Sequence, residues 1–285
     1  MIHAHAEHRR TQRGSAGLSW SGWTDRGRFR QNNEDSFIGL QFDAREVARL
    51  GQYGEATLSH ADLAFAVSDG MGGARSGEFA SRIVVEKVTT LLPRSYRQAA
   101  EGLENGFADV MEELFEQIHR ALVYVGASYE ECTGMEATLS LAWFTPDWMY
   151  FGHIGDSRLY LLPGKGGTLR QLSHDDTHVG WLFRSGKLTE REARSHPRRN
   201  VLQKSLGGTN QFVDPQVGAV ACESGDVFLL CTDGVVDGLR DGQIVELLKS
   251  SLDSEPTGSA ARRLVSEAIE KGGRDNTTAL VIRLD

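Results

Sequence analysis

Leu63-Ala-Phe-Ala-Val-Ser-Asp-Gly-Met-Gly-Gly73 is a short apolar run that ends in Ser-Asp-Gly. It reads as a strand entering a tight polar turn. The same arrangement returns at Val227-Phe-Leu-Leu-Cys-Thr-Asp-Gly234. Two variants accompany it: Met149-Tyr-Phe-Gly-His-Ile154 leads into Gly155-Asp156-Ser157-Arg158, and Gly272-Gly-Arg-Asp275-Asn276 opens the run Thr277–Leu284. Working outward, further strands are expected at Leu18–Thr24, Asp35–Gln41, Ala137–Phe144, Arg158–Leu162 and Val217–Val220, each short and bounded by Gly, Pro or Asp. Apolar residues every three to four positions predict helices over Gly77–Leu92, Gly106–Ala127, Gly242–Ser250 and Ser259–Glu270. The two long helices follow one another with no strand between them, and the middle strands are joined by short turns. Strict strand–helix alternation is therefore absent, which favours an α+β arrangement of antiparallel sheets with helices outside.

Two stretches look inserted. Asp43–His60 is polar and weakly patterned, and Asp175–Gly208 carries Arg184, Arg191, Arg194, Arg198 and Arg199 and reads as a mobile helical excursion. Residues 1–16 are polar and without periodicity and are expected to form a disordered N-terminal tail, with His3, His5 and His8 read as part of that tail rather than as metal ligands. The 285 residues are 40% hydrophobic and 25% charged, a soluble globular composition. No apolar run approaches the ~20 residues that cross a bilayer, and the start has no apolar signal region, so a cytoplasmic protein without membrane attachment is expected. Cys132, Cys222 and Cys231 fall in no spaced pattern and argue against a disulfide framework. The formal net charge of −8 argues against nucleic acid as the partner.

The acids are the informative part. Asn32-Asn33-Glu34-Asp35 precedes a strand, so Glu34, Asp35, Asp69, Asp156, Asp233 and Asp275 all stand at the edges of apparent core strands. An Asp-Gly pair taken singly is ordinary turn chemistry. Turn chemistry does not require strand–Ser/Thr–Asp–Gly twice. If these edges converge, the carboxylates repel one another unless cations intervene, and oxygen ligands without spaced Cys or His select Mg²⁺ or Mn²⁺ over zinc.

The series Arg30-Gln-Asn-Asn-Glu34-Asp35, Val67-Ser-Asp69-Gly70-Met-Gly-Gly73, Gly155-Asp156-Ser-Arg158, Thr232-Asp233-Gly234 and Gly273-Arg-Asp275-Asn276 resembles the PP2C (PPM) family of protein phosphatases, above all its bacterial branch. The motifs come in the family's order and span Gly22 to Leu284. The resemblance implies a PP2C-type domain over 17–285, a four-layer α-β-β-α sandwich with a metal site at one end and a flap over about 175–208. It implies a protein serine/threonine phosphatase that hydrolyses phosphoserine and phosphothreonine by a metal-bridging hydroxide. Carried over by position, Asp69 bridges two metals, Gly70 lends its carbonyl, and Asp233 and Asp275 are direct ligands. Glu34 and Asp35 act through metal-bound water, and Asp156 with Asp233 holds a third ion. Arg30 grips the phosphate; with Glu34 and Asp69 it forms the implied catalytic set. The implied cofactors are two ions of Mn²⁺ or Mg²⁺, with room for a third, and the implied partners are phosphorylated proteins and a cognate Ser/Thr kinase. A monomer is expected. Two cations about 4 Å apart can lower the pKa of a shared water towards neutrality, and a planar guanidinium offers two parallel donors to a phosphate.

Several positions stay open at this level. Met71 stands where eukaryotic relatives have a proposed general-acid histidine, leaving that role unassigned among metal-bound water, His174 and His178, while His153 reads as core packing. Glu136, in Gly134-Met-Glu-Ala-Thr138, is unusual for its place. The basic run Arg194–Asn200 either attracts phosphorylated substrate segments or solvates the flap. A catalytically inactive phosphoprotein-binding scaffold would be expected to lack one of the metal acids, and Asp69, Asp233 and Asp275 are all present. A metal-dependent phosphohydrolase of small molecules is the other alternative. A haloacid-dehalogenase phosphatase would need a second Asp two residues after the first, which neither Asp69 nor Asp233 has.

Overall fold

The computed structural model describes residues 17–43, 45–59, 61–72, 76–100, 106–209, 212–254 and 259–285. The expected tail over 1–16 and Gly73 of the first motif lie outside the described residues. The run Val227–Cys231 forms strand β13 and is buried at every position. Its alternate residues serve different cores: Phe228 and Leu230 face the opposing sheet, while Val227, Leu229 and Cys231 face helices. The strand Asp62–Met71 (β5) divides likewise, with Leu63, Phe65 and Val67 on the inner core and Ala64 and Ala66 on an outer one. A strand apolar on both faces needs a layer on each side, and the chain supplies four.

One sheet has six strands in the order Arg170–Gln171 (β10), Arg158–Leu162 (β9), β13, Thr277–Leu284 (β14), Gly17–Asp25 (β1) and Tyr53–Thr57 (β4). The other runs Leu206–Gly207 (β11), Glu136–Ala137 (β6), β5, Leu139–Phe144 (β7), Trp148–Ile154 (β8) and Gln216–Ala221 (β12), with Asp35–Phe42 (β2) on β5 and Val47–Arg49 (β3) on β2. Every described pairing is antiparallel, including Asp35 opposite Asp69 and Cys231 opposite Ala279. Helices Ser76–Ala100 (α1) and Phe107–Ser128 (α2) cover the eight-stranded sheet, and Asp241–Ser254 (α6) and Ala260–Lys271 (α7) cover the six-stranded one. Phe228 lies between the sheets, edge-on to Phe144 at 5.2 Å. Phe228→Ala is expected to cost about 3–5 kcal/mol in urea unfolding, because the cavity opens between two rigid sheets; a loss below about 1 kcal/mol would contradict this inner core.

The structure departs from the sequence expectations in three places, the first being that β5 runs on to Met71, so Asp69 and Gly70 stand within the strand and not in a turn after it. Asp43–His60 is not a simple insertion: β3 extends the edge of one sheet and β4 the edge of the other. These edge strands are largely exposed, so no apolar alternation marks them. The residues after Thr232 form a short helix, Asp233–Gly238 (α5), where the sequence suggests only a turn. The flap contains His178–Arg184 (α3) and Glu190–Ser195 (α4), each opened by a threonine cap, Thr177 and Thr189, whose hydroxyl accepts a backbone N–H.

Candidate active site

Antiparallel pairing brings the acids together. The start of β2 and the end of β5 share an edge, so Asp35 faces Asp69 across the ladder. The end of β13 and the start of β14 share the corresponding edge of the other sheet, which carries Asp233 and Asp275 there. The Gly155–Ser157 turn joins β8 of one sheet to β9 of the other and brings Asp156 to the same rim. Arg30, Glu34, Asp69, Gly70, Met71, Asp156, Asn200, Asp233 and Asp275 all line one cleft of about 410 Å³.

Hydrogen bonds hold Asp35 and the backbone at Asp69 and Glu34 from behind. Asp35 is buried, and its Oδ2 accepts from Thr232 Oγ1 at 2.8 Å and Thr278 Oγ1 at 2.6 Å, linking β2 to the opposite sheet. Thr138 Oγ1 accepts the backbone N–H of Asp69 at 2.9 Å and meets the Ser157 hydroxyl at 2.8 Å, tying the Asp69 strand to the Asp156 turn. The buried Asn276 accepts the Glu34 N–H at 2.8 Å and donates to the carbonyls of Arg26 and Asn32, both at 2.9 Å, so it clasps the loop that carries Arg30. Arg30 donates to Asp275 at 2.7 Å and lies 3.8 Å from Glu34.

Burial first, and then neighbouring carboxylates, raise the pKa of Asp35, Asp69, Asp156 and Asp233. Burial first, then the charges of Asp35, Asp233, Asp156 and Asp275, push Asp69 well above the carboxylate range. Burial and the charges of Asp156, Asp275 and Asp237 do the same to Asp233. Burial lifts Asp35 to about 7 against its two threonine bonds. It lifts Asp156 to about 7 as well, with Asp175 adding to the effect and Arg158 opposing it. Glu34 is raised mainly by burial, with Arg30 opposing. A carboxyl raised in the fold contributes stability that is fully present below its unfolded pKa, near 4, and is lost as pH rises through its folded value. In the presence of EDTA the melting temperature is therefore expected to fall between about pH 5 and pH 8, and saturating Mn²⁺ is expected to oppose that fall. A melting temperature that rises over this window in EDTA would contradict it.

The donor chemistry fits divalent cations. The side chains are oxygen donors, and Asp35 Oδ1 and Asp233 Oδ1 are buried without a partner, a costly condition that a bound cation would relieve. Among the described residues no three acids or histidines already stand in a closed ligand cluster. Several of the oxygens point to protein donors instead, Asp275 to Arg30 and Asp233 Oδ2 to Asn200 Nδ2 at 3.2 Å.

Several contributors carry no role in the sequence reading. Asn200, at the end of the basic flap run, reaches Asp233. Asp237 lies one helical turn after Asp233 and ion-pairs with Arg199 at 2.6 Å. Gly77, at the start of α1, leaves room for the Gly70 carbonyl and Glu34 Oε1; a Cβ there would be 2.7 Å from each. Glu136 accepts the Ser205 hydroxyl at 2.9 Å, which joins the end of the flap to β6. His153 is buried, its ring nitrogens on Ser140 Oγ at 2.8 Å and the Gly155 carbonyl at 3.1 Å, in keeping with core packing. His178 stacks on Trp181 on the flap, while the His174 backbone N–H donates to Gln216.

The profile of the protein phosphatase 2C family matches residues 52–267, and the chain belongs to that family. The chain is 33% identical over 267 residues to the serine/threonine protein phosphatase PstP of Mycobacterium tuberculosis, covering 93% of this chain and 44% of that relative. It therefore spans less than half of PstP. It is 30% identical to the serine/threonine phosphatase Stp of Listeria monocytogenes, covering 92% and 94% of the two chains. The solved structure of PstP superposes with a TM-score of 0.74 at 30% identity, covering 94% of this chain and 99% of that one. A structure of the PstP catalytic domain in complex with two manganese ions superposes at 0.72 with 29% identity, covering 95% and 99%. The two antiparallel sheets with outer helices are the architecture shared with these phosphatases.

Proposed function

We propose that this chain is a divalent-cation-dependent protein serine/threonine phosphatase acting on phosphorylated proteins. The observation that carries this reading is the convergence of Asp35, Asp69, Asp156, Asp233 and Asp275 on one sandwich rim, with buried Asp35 and Asp233 oxygens lacking a protein partner. Asp69, the Gly70 carbonyl, Asp233 and Asp275 would hold two ions of Mn²⁺ or Mg²⁺, with Glu34 and Asp35 acting through water and Asp156 with Asp233 holding a third. Such ions supply Lewis-acid activation of water and of the phosphoryl group when bound.

The chain's own residues do the rest. Arg30 stands at the cleft mouth, nearly half exposed, with its guanidinium held against Asp275 and Glu34. From there it presents parallel donors to a substrate phosphate. Asn276 holds the loop that carries Arg30, and Thr138 keeps Asp69 and Asp156 in register. Met71 lines the cleft and cannot donate a proton, so the leaving oxygen takes its proton from another group.

The same reading makes the protein a monomeric cytoplasmic signalling enzyme opposed by a cognate Ser/Thr kinase. Among the described residues no helix is long and apolar enough to cross a membrane. The test is release of phosphate from a phosphothreonine peptide by the purified chain with Mn²⁺, with EDTA, and against a phosphotyrosine peptide and a nucleotide. Mn²⁺-dependent turnover that favours phosphothreonine is expected. No turnover with added Mn²⁺, or faster turnover of the nucleotide, would contradict the reading.

A further inference from the structure

The flap has a charge opposite to that of the chain it belongs to. Between Asp175 and Gly208 there are seven Lys and Arg residues against Asp175, Asp176, Glu190 and Glu192, a surplus of three positive charges in a chain of net −8. Only two of the seven sit on carboxylates among the described residues: Arg199 on Asp237 and Lys204 on Asp214. Arg194 and Arg184 use their donors on backbone carbonyls, of Val236, Leu239 and Asp175, so their charge is not neutralised. Lys187 lies 4.2 Å over the Trp181 ring, and Arg191 and Arg198 are exposed. On the neighbouring helix α3, Trp181 and Phe183 are 44% and 46% exposed on different sides.

This surface borders the cleft. Arg198 is followed directly by Arg199, held on Asp237, and by Asn200, which reaches Asp233. The loop is thus pinned to the acid floor, while Arg198 is exposed and has no ion pair among the described residues. An extended peptide advances ~3.3 Å per residue, so side chains two to four places from a phosphoresidue in the cleft reach this loop. A free carboxylate there would meet cations without carboxylate partners. Resting on the phosphatase reading, we propose that the flap selects substrates whose phosphothreonine or phosphoserine is flanked by Asp or Glu, with Arg191 and Arg198 as specificity-determining cations. A membrane surface is the poorer occupant, because α3 has only seven residues and presents no continuous amphipathic face.

The test compares kcat/KM for phosphothreonine peptides carrying Asp/Glu on the N-terminal side, on the C-terminal side, Ala on both, or Lys on both, with para-nitrophenyl phosphate as a substrate that has no flanks. Wild type is expected to favour one acidic series over the Ala peptide by roughly five- to tenfold at low ionic strength, a preference that shrinks as salt screens it. In the Arg191→Glu/Arg198→Glu variant the order is expected to reverse towards the Lys peptide, read as a ratio within one enzyme preparation. Turnover of para-nitrophenyl phosphate with equal kcat/KM for all peptides would overturn the proposal and leave the phosphatase reading standing. An unchanged ratio in the variant, or binding of wild type to anionic vesicles without peptide discrimination, would also overturn it. No Mn²⁺-dependent turnover of any substrate would overturn the phosphatase reading and this proposal with it.

Discussion

Asp233→Asn is expected to lower Mn²⁺-dependent turnover of a phosphothreonine peptide by more than about 100-fold while leaving the protein folded. Loss of a group that merely supports a metal ligand typically costs 10- to 100-fold, and Asp233 is proposed as a ligand itself, so that range is a floor. The fold should tolerate the change, because Asp233 Oδ1 is buried without a partner and its ionised form is opposed by burial and by four neighbouring carboxylates. An amide removes that charge while keeping the shape. In EDTA near pH 8 the variant is therefore expected to melt at or above the wild-type temperature, and Mn²⁺ is expected to raise its melting temperature less than it raises that of wild type. Full activity, or a variant that unfolds at a much lower temperature in EDTA, would contradict this account of the site.

The second large effect concerns Gly70. Its backbone N–H donates to the Glu34 carbonyl at 3.1 Å, and a Cβ at this position would collide with the Gly77 carbonyl at the start of α1. The obstacle is backbone, which cannot rotate away, so α1 or the Glu34 loop must shift. Gly70→Ala is expected to destabilise the chain by about 3 kcal/mol or more and to lose Mn²⁺-dependent activity with it. Gly242→Ala is the matching control. It lies in the first turn of α6 with open space where a Cβ would go, so it is expected to be neutral or to stabilise by a few tenths to about 1 kcal/mol. Equal effects of the two substitutions in thermal and urea unfolding would show that the packing of Gly70 against α1 is not what constrains it.

Much of this arrangement is legible in the chain because the acids are marked by what precedes them. Val227–Cys231 and Leu63–Val67 announce core strands, and the Asp-Gly that follows each places a carboxylate at a rim. The strands β9 and β14 keep the bounds expected of them, since apolar runs closed by Gly or Asp leave little latitude. The edge strands β3 and β4 are not legible, because exposed strands of three and five residues carry no apolar period. The supporting groups are hidden for a different reason. Thr138, Thr232, Thr278 and Asn276 are unremarkable polar residues whose roles exist only once two sheets bring distant segments together: Thr278 and Asp35 are 243 residues apart. Glu136 is conspicuous in the sequence without an assignable task there, and its bond to Ser205 across the flap base supplies one. Asn200 reaches Asp233 only because the flap folds back over α5.

The central claim is that this rim of carboxylates holds divalent cations, and calorimetric titration of Mn²⁺ into the purified chain tests it without relying on turnover. Wild type is predicted to take up at least two equivalents, and Asp69→Asn, which alters the acid proposed to bridge them, is predicted to lose most of that uptake while retaining its circular dichroism spectrum. A wild-type chain that takes up no Mn²⁺, or an Asp69→Asn variant that binds it with unchanged stoichiometry and affinity, would contradict the account.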